Sequence, residues 1–272
     1  MLNDADGGLQ SLLSKYHLTP RSNRMWGQHF LVDSRVLTDI IDAAQIQYAE
    51  TILEIGPGPG VLTRALLDAG AHVVAIEQDR RFAPLLQEEF GDRTFQLNLG
   101  NALTVHWERL GLRDQQFALV ANLPYSITTP LFEKMLLPPR PARALLMIQR
   151  DVAQRISAGA SHQDRGALSV ILQHQYHIQV VRSVPRNAFY PPPAVESAIV
   201  QLTPTGVPLP DGFSEFVHNA FCHRRKYLRS NLQERYPSCD WKAVVPRLGI
   251  DERARPQDIR NDQWLQLFDF LK

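Results

Sequence analysis

The sequence predicts an α/β fold, a seven-stranded doubly wound sheet followed by a small all-α domain, on three observations. Short apolar runs alternate with segments of helical apolar spacing up to about residue 204. One early run ends in a glycine-rich turn that leads into a helix. A stretch rich in proline and glycine then gives way to segments with helical periodicity alone.

In chain order, residues 1–20 read as a variable leading helix or tail. The candidate strands are Ile52 to Ile55, Val73 to Ile76, Phe95 to Leu99, Phe117 to Ala121, Ala144 to Ile148, Ile178 to Val181 and Ser197 to Leu202. Only a proline-rich loop joins the last two, which predicts an antiparallel pair at one edge of the sheet. Gly56, Glu77, Asn101 and Asn122 all fall at carboxyl ends of strands, where open α/β sheets bind ligands. The segment Thr203 to Gly212 reads as a linker, placing one domain over residues 21–204 and a second over 205–272. Helices are predicted over Phe213 to Leu228, Trp241 to Leu248 and Asn261 to Leu271, with Pro237, Pro246 and Pro256 as punctuation.

With 272 residues and 44% hydrophobic content, the chain has room for one full α/β domain and a small appendage. No apolar run reaches membrane-spanning length, and the first residues lack a basic-then-apolar leader, so a cytoplasmic protein is expected. Cys222 and Cys239 read as reduced thiols, and His174 and His177 are too isolated for a metal site, so no metal is expected. The net charge is only +1, yet Arg140 to Arg186 carries seven arginines against two aspartates. A second basic cluster, His223 to Lys226 with Arg229, is expected to contact phosphates, Arg224, Arg225 and Arg229 sharing one helix face by their spacing.

Two motifs bear on chemistry. Gly56-Pro57-Gly58-Pro59-Gly60 follows a strand and opens a helix, and Glu77 ends the next strand about 20 residues on, where such folds place a carboxylate on a ribose hydroxyl pair. A dinucleotide fingerprint needs its third glycine where Val61 stands, which disfavours a nicotinamide cofactor. S-adenosylmethionine has a ribose and no phosphate, and suits the loop better. Asn122-Leu123-Pro124-Tyr125 directly follows a strand. An aromatic amine is a poor nucleophile because its lone pair is delocalised; the Asn122 side-chain oxygen and the Leu123 carbonyl would hold its N–H bonds, with Tyr125 as a stacking face. A proline turn with a core tyrosine is the other reading of that tetrad.

Those motifs, with Gly27-Gln28-His29-Phe30-Leu31, Asn101-Ala102-Leu103, Phe189-Tyr190-Pro191-Pro192-Pro193-Ala194-Val195-Glu196-Ser197-Ala198 and Phe221 to Leu228, resemble the ribosomal RNA adenine dimethyltransferase family from about Arg21 onward. The resemblance is nearer to its bacterial small-subunit branch than to the large-subunit enzymes of macrolide resistance. It implies a Rossmann-like class I methyltransferase fold, S-adenosylmethionine as cofactor, and dimethylation of two adjacent adenosines near the 3′ end of small-subunit rRNA. The partner would be rRNA in an immature subunit, and the protein a monomer. By resemblance, His29 and Leu31 cover the cofactor, Gly56 contacts its methionyl part, Glu77 takes the ribose and Asn101 the adenine, with Gly58 and Asn122 also binding the cofactor. Asn122, Leu123, Pro124, Tyr125 and Phe189 form the catalytic set, Phe189 facing the target base opposite Tyr125, while Phe30 reads as core packing. The family often has Asp where this chain has Asn101, which leaves cofactor affinity open. An alternative role is that of a non-catalytic assembly factor binding through the C-terminal helices.

Overall fold

The computed structural model describes residues 7–21 and 27–271. The chain folds as two compact units, Met1–Arg150 with Gln179–Thr203, and Asp151–Ile178 with Pro204–Lys272. The second unit resumes beside the linker, but it also takes in Asp151–Ile178, which the sequence assigns to the sheet domain. Tertiary packing decides this: Val170, Ile171 and Leu172 are buried on a helix that packs against C-terminal helices.

The first unit is built on β2 (Thr51–Ile55), β3 (His72–Glu77), β4 (Phe95–Leu99), β5 (Ala118–Asn122), β6 (Arg143–Gln149), β7 (Tyr176–Val184) and β9 (Ser197–Pro204). They form one seven-stranded sheet in the order β4-β3-β2-β5-β6-β9-β7. All seven strands expected from the sequence are present, and the last two are neighbours at one edge. β4, β3, β2, β5 and β6 run parallel, and β9 is antiparallel to β6. Ile52, Leu53, Ala118, Leu119, Leu146 and Ile148 are wholly buried, as continuous apolar strands of a two-faced parallel sheet should be. Each larger side chain contributes about 1.5–3 kcal/mol by leaving water.

The strand order reverses between β2 and β5, and their ladder pairs only Ile52 with Ala118 and Leu53 with Leu119. Beyond it, Ile55 stays paired with Ile76 of β3 and Asn122 with Met147 of β6. The two central strands therefore part at their carboxyl ends and open a crevice. Two elements lie outside the expected set: β1 (Phe30–Leu31) and β8 (Phe189–Tyr190) form a two-residue antiparallel ladder.

Helices α1 (Gly7–Lys15), α2 (Ser34–Ala44), α3 (Val61–Asp68), α4 (Ala83–Phe90) and α5 (Thr128–Met135) complete this unit. The leading segment is no loose tail from residue 7 onward, because Leu9, Leu13 and Leu18 join the buried core; residues 1–6 lie outside the described residues. Asp33 caps α2 by accepting from the Arg35 and Val36 amides. At the other end, Arg143 of β6 donates to the Ala44 carbonyl at 2.9 Å and forks onto Glu50 at 2.5 and 2.7 Å. That use is typical of the Arg140 to Arg186 excess. Arg140 pairs with Asp114, Arg150 with Glu196 and Arg182 with Asp39, and Arg186 donates to the Pro193 carbonyl. Much of this local charge holds the fold.

The second unit contains α6 (Arg150–Ser157), α7 (Ala167–Gln175), α8 (Phe213–Ala220), α9 (Leu228–Leu232), α10 (Trp241–Arg247) and α11 (Asn261–Leu271), α6 beginning at the last residue of the first unit. Phe216 packs against Trp264 and Phe268, with ring centroids 5.9 and 5.3 Å apart. Thr205 caps α7 by donating its hydroxyl to the His174 carbonyl at 2.8 Å. The helix expected over Phe213 to Leu228 stops at Ala220, and turns carry the chain to Leu228. The Asn231 amide takes the Ala220 and His223 carbonyls at 2.7 and 3.1 Å, bonds that a continuing helix would have made itself. Pro246 lies inside α10 rather than bounding it.

Gly60 precedes α3 at φ 84°, and a Cβ there would overlap the Phe90 ring. Replacing Gly60 with Ala is expected to cost about 2–4 kcal/mol, from left-handed backbone and overpacking together. Urea unfolding of the variant should show a lowered midpoint at unchanged slope.

Candidate active site

The crevice at the parted strands is a cleft bordered by Gly27–Phe30, Gly56, Gly58, Glu77, Asn101 and Asn122–Ile127. It forms where a doubly wound sheet changes direction, the position such folds use for ligands. His29, Gly56, Gly58, Glu77, Asn101, Asn122, Leu123, Pro124 and Tyr125 are thus brought together as the sequence predicts.

The glycine loop contributes shape rather than charge. The Gly56 amide donates to the Ile76 carbonyl at 2.9 Å, Gly58 to Glu77 Oε2 at 3.0 Å, and Gly60 to the Pro57 carbonyl at 2.9 Å. Pro57 and Pro59 have no N–H. The loop from Gly56 to Gly60 therefore keeps no amide for a pyrophosphate, which argues physically against a dinucleotide. At φ 54° a side chain on Gly58 would also press the Phe30 ring, 3.0 Å from an added Cβ.

Glu77 accepts from the Gly58 amide and, through Oε1, from the Asp79 amide at 2.7 Å. Burial pushes its carboxyl up, and those amide bonds pull it back. A carboxylate keeps further lone pairs for a hydroxyl pair, so its position suits a ribose. Behind it, Glu54 is buried and accepts the Thr63 hydroxyl at 2.7 Å. Burial pushes Glu54 up to about 8, with the Thr63 bond opposing and the Glu77 charge adding.

The segment over the cleft is tied at several points. Gln28 donates to Asp79 Oδ2 at 2.8 Å, and His29 Nδ1 donates to the Pro191 carbonyl at 2.7 Å. Burial disfavours the charged Asp79, yet bonds from Arg81 and Gln28 hold its carboxyl below the usual range. Asn122 Nδ2 donates to the His29 carbonyl at 3.1 Å, which turns Oδ1 the other way. Neither Asn122 Oδ1 nor the Leu123 carbonyl is engaged by another described residue. Tyr125 lies beside them, stacked near the His29 ring with centroids 5.9 Å apart and its hydroxyl 2.8 Å from Ser197 Oγ.

Two expected site residues are not in the cleft lining. Leu31 is buried in the core and paired with Phe189 in the β1–β8 ladder. Phe189 itself is only 3% exposed and packs in the same core, so it presents no stacking face to the cleft. The short ladder turns both side chains inward. Phe30 is buried as expected, although its ring also borders the cleft. In the second unit, Arg224 and Arg225 occupy the turn after α8 while Arg229 is on α9, so they do not share a helix face. Arg224 donates to the Gln163 and Arg165 carbonyls at 2.6 and 2.7 Å. Arg225, Lys226 and Arg229 are exposed.

Sequence reasoning missed Gln28, Asp79 and Ser197 as supports. Asp79 was signalled only by its place just after Glu77, and Ser197 only by membership of the proline motif. Also missed was Lys134 of α5, which donates to the Leu103 and Val105 carbonyls at 3.0 and 2.6 Å and so holds the loop that carries Asn101.

Residues 20–272 match the family described as ribosomal RNA adenine dimethylase. The chain belongs to this family. This dimethylase is 40% identical over 255 residues to "Ribosomal RNA small subunit methyltransferase A" of Phenylobacterium zucineum, covering 91% of this chain and 87% of that one. Among solved structures, a dimethyladenosine transferase from Plasmodium falciparum has a TM-score of 0.76 at 24% identity, covering 89% of this chain and 97% of that one, and shows the fold. The 23S rRNA methyltransferase ErmE has a TM-score of 0.70 at 28% identity, covering 89% of this chain and 99% of that one. The dimethylase is an S-adenosylmethionine-dependent methyltransferase with a Rossmann-like fold.

Two predictions follow from the site's geometry. As pH rises from about 4.5 to about 8, the unfolded chain gains an ionised Glu54 that the fold keeps neutral, so stability is lost through that window. Glu54→Gln removes this loss; its urea midpoint relative to wild type should rise between pH 5 and pH 8, and a constant difference would mean that Glu54 is charged in the fold. Ser197→Ala removes the Oγ that meets the Tyr125 hydroxyl and should lower methyl transfer roughly 5-fold, the effect of about one net hydrogen bond. S-adenosylhomocysteine affinity, measured by calorimetry, should not change.

Proposed function

We propose that this dimethylase transfers methyl groups to the N6 amines of two adjacent adenosines near the 3′ end of small-subunit rRNA, two to each, acting on an immature subunit. The observation that carries this reading is the orientation of Asn122. With Nδ2 committed to the His29 carbonyl, Oδ1 and the Leu123 carbonyl form a pair of acceptors beside Tyr125.

S-adenosylmethionine supplies an electrophilic sulfonium methyl whose leaving group is a neutral thioether. Glu77 would hold its ribose, Asn101 its adenine, and the Gly56 to Gly58 turn its methionyl part. The residues' task is then positioning. Asn122 Oδ1 and the Leu123 carbonyl accept the two N–H bonds of the target amine, drawing its lone pair out of the ring and toward the methyl. Tyr125 holds the base by stacking, worth about 1–3 kcal/mol by analogy with other nucleic-acid sites. Each transfer forms the N–C bond as the C–S bond breaks, and the methylated amine then releases one proton to solvent; after the first round a single N–H remains, which either acceptor can hold for the second. No base of raised strength is required.

Phe189 contributes here as core beneath the segment bearing His29, not as a second stacking ring. The exposed Arg225, Lys226 and Arg229 suit phosphate contact in the way basic side chains bind RNA generally. The greater identity to a small-subunit relative than to a large-subunit enzyme supports the choice of rRNA.

Asn122→Ala should lower methyl incorporation into immature small subunits by at least about 100-fold, the scale of removing one oriented polar contact to a reacting group. Near-normal turnover would refute the assignment. Primer extension on both rRNAs from a strain lacking the gene should reveal missing modification in the small-subunit rRNA alone.

A further inference from the structure

The cleft takes lining from two strand ends that no ladder joins. Gly100, Asn101 and Ala102 follow β4, and residues 122–127 follow β5, while β3 and β2 lie between those strands in the sheet. No backbone bond of the sheet therefore fixes the distance between the two. The chain beyond Asn122 passes through one short turn, Tyr125–Ile127, straight into α5, which is anchored by the wholly buried Leu131, Phe132 and Met135. Near the end of α5, Lys134 reaches back to the loop after β4. Its ammonium donates to the Leu103 and Val105 carbonyls at 3.0 and 2.6 Å and stands 5.0 Å from the centroid of the Trp107 ring.

That loop is otherwise satisfied from within. Asn101 Oδ1 accepts the Leu103 amide at 2.9 Å, the Asn101 carbonyl accepts the Thr104 and Val105 amides at 3.0 and 2.9 Å, and Trp107 Nε1 donates to the Ala102 carbonyl at 3.3 Å. These bonds set the loop's own shape, not its place relative to α5. Among the described residues no carboxylate bonds the Lys134 ammonium, and burial lowers its pKa, with the Glu108 charge opposing. The cost of half-burying this ammonium is met by its two charge-assisted bonds, so lysine and loop are fixed to each other.

We propose that Lys134 is a positioning residue for methyl transfer: by tying residues 101–105 to the helix that continues from Tyr125, it fixes the distance between the part of the cleft that receives the cofactor and the corner that receives the target amine. The inference rests on the proposed meeting of cofactor and adenosine amine in this cleft. An in-line transfer tolerates little error in that distance, and a displacement of about 1 Å can cost on the order of 100-fold. Without the Lys134 donors the loop keeps its shape and its cofactor contacts but shifts as a unit against α5.

The test uses the full chain with Lys134→Met, which keeps the apolar stem and loses the donors, and Lys134→Arg, whose guanidinium can reach two carbonyls at once. Calorimetric titration with S-adenosylhomocysteine counts the sites able to bind and gives their affinity. Methyl transfer to immature small subunits is then measured at saturating S-adenosylmethionine and expressed per binding site. Lys134→Met should bind S-adenosylhomocysteine within about 3-fold of wild type while its rate per site falls at least about tenfold, and Lys134→Arg should recover most of that rate. A smaller loss of rate per site in Lys134→Met, a loss of affinity that exceeds the loss of rate, or an equal loss in both variants would overturn the inference, because unfolding alone lowers the number of sites and not the rate of each. If Lys134→Met does not fold, Lys134→Gln is read by the same criteria. Wild-type protein that binds no S-adenosylhomocysteine, or binds it and methylates no rRNA, would instead remove the functional reading on which the inference rests.

Discussion

The parting of β2 from β5 is the constraint from which the site follows. Parallel neighbours normally stay in register along their length, but these two pair only at Leu53–Leu119 and the residue before it, then diverge toward other partners. The divergence exposes the carboxyl ends of both strands to one space. Gly56 to Gly60 closes one side of it and Asn122 to Tyr125 the other, while Glu77 and Asn101 arrive from the next two strands. A continuous ladder would have filled this space with backbone.

A chain of hydrogen bonds then converts the gap into a directed site. The Pro191 carbonyl holds His29, the His29 carbonyl holds the Asn122 amide, and Ser197 holds the Tyr125 hydroxyl. The proline motif thus acts from behind, through a carbonyl and a hydroxyl. Its aromatic residue is buried and secures the β1–β8 ladder. Binding groups fixed by neighbours that are themselves fixed lose little freedom when a substrate arrives, which is the physical content of preorganisation.

Charge is arranged with similar economy. Glu54 and Glu77 are buried around the glycine loop, one answered by a hydroxyl and the other by amides. The Gly58 amide is consumed by a carboxylate, so the loop offers an approach without an anion seat. A phosphate-free cofactor fits that chemistry. Many of the arginines between residues 140 and 186 hold helix ends and acidic partners.

Strand existence, the glycine turn, Glu77, Asn101 and the Asn-Leu-Pro-Tyr corner were legible in the sequence because each depends on local pattern: apolar runs, backbone freedom at glycine, and residue types at strand ends. The burial of Leu31 and Phe189 was not legible because a two-residue ladder carries no periodic signal, and its pairing alone decides which way their side chains turn. The break after Ala220 was invisible for a related reason, since the Asn231 amide that takes over the helix-end carbonyls is distant in the pattern but adjacent in space. The grouping of Asp151–Ile178 with the C-terminal helices likewise came from packing. The sequence by itself determined which chemistry the strand ends can offer. Only tertiary structure decided the direction of each side chain, because hydrogen-bond orientation depends on partners that the chain brings near solely by folding.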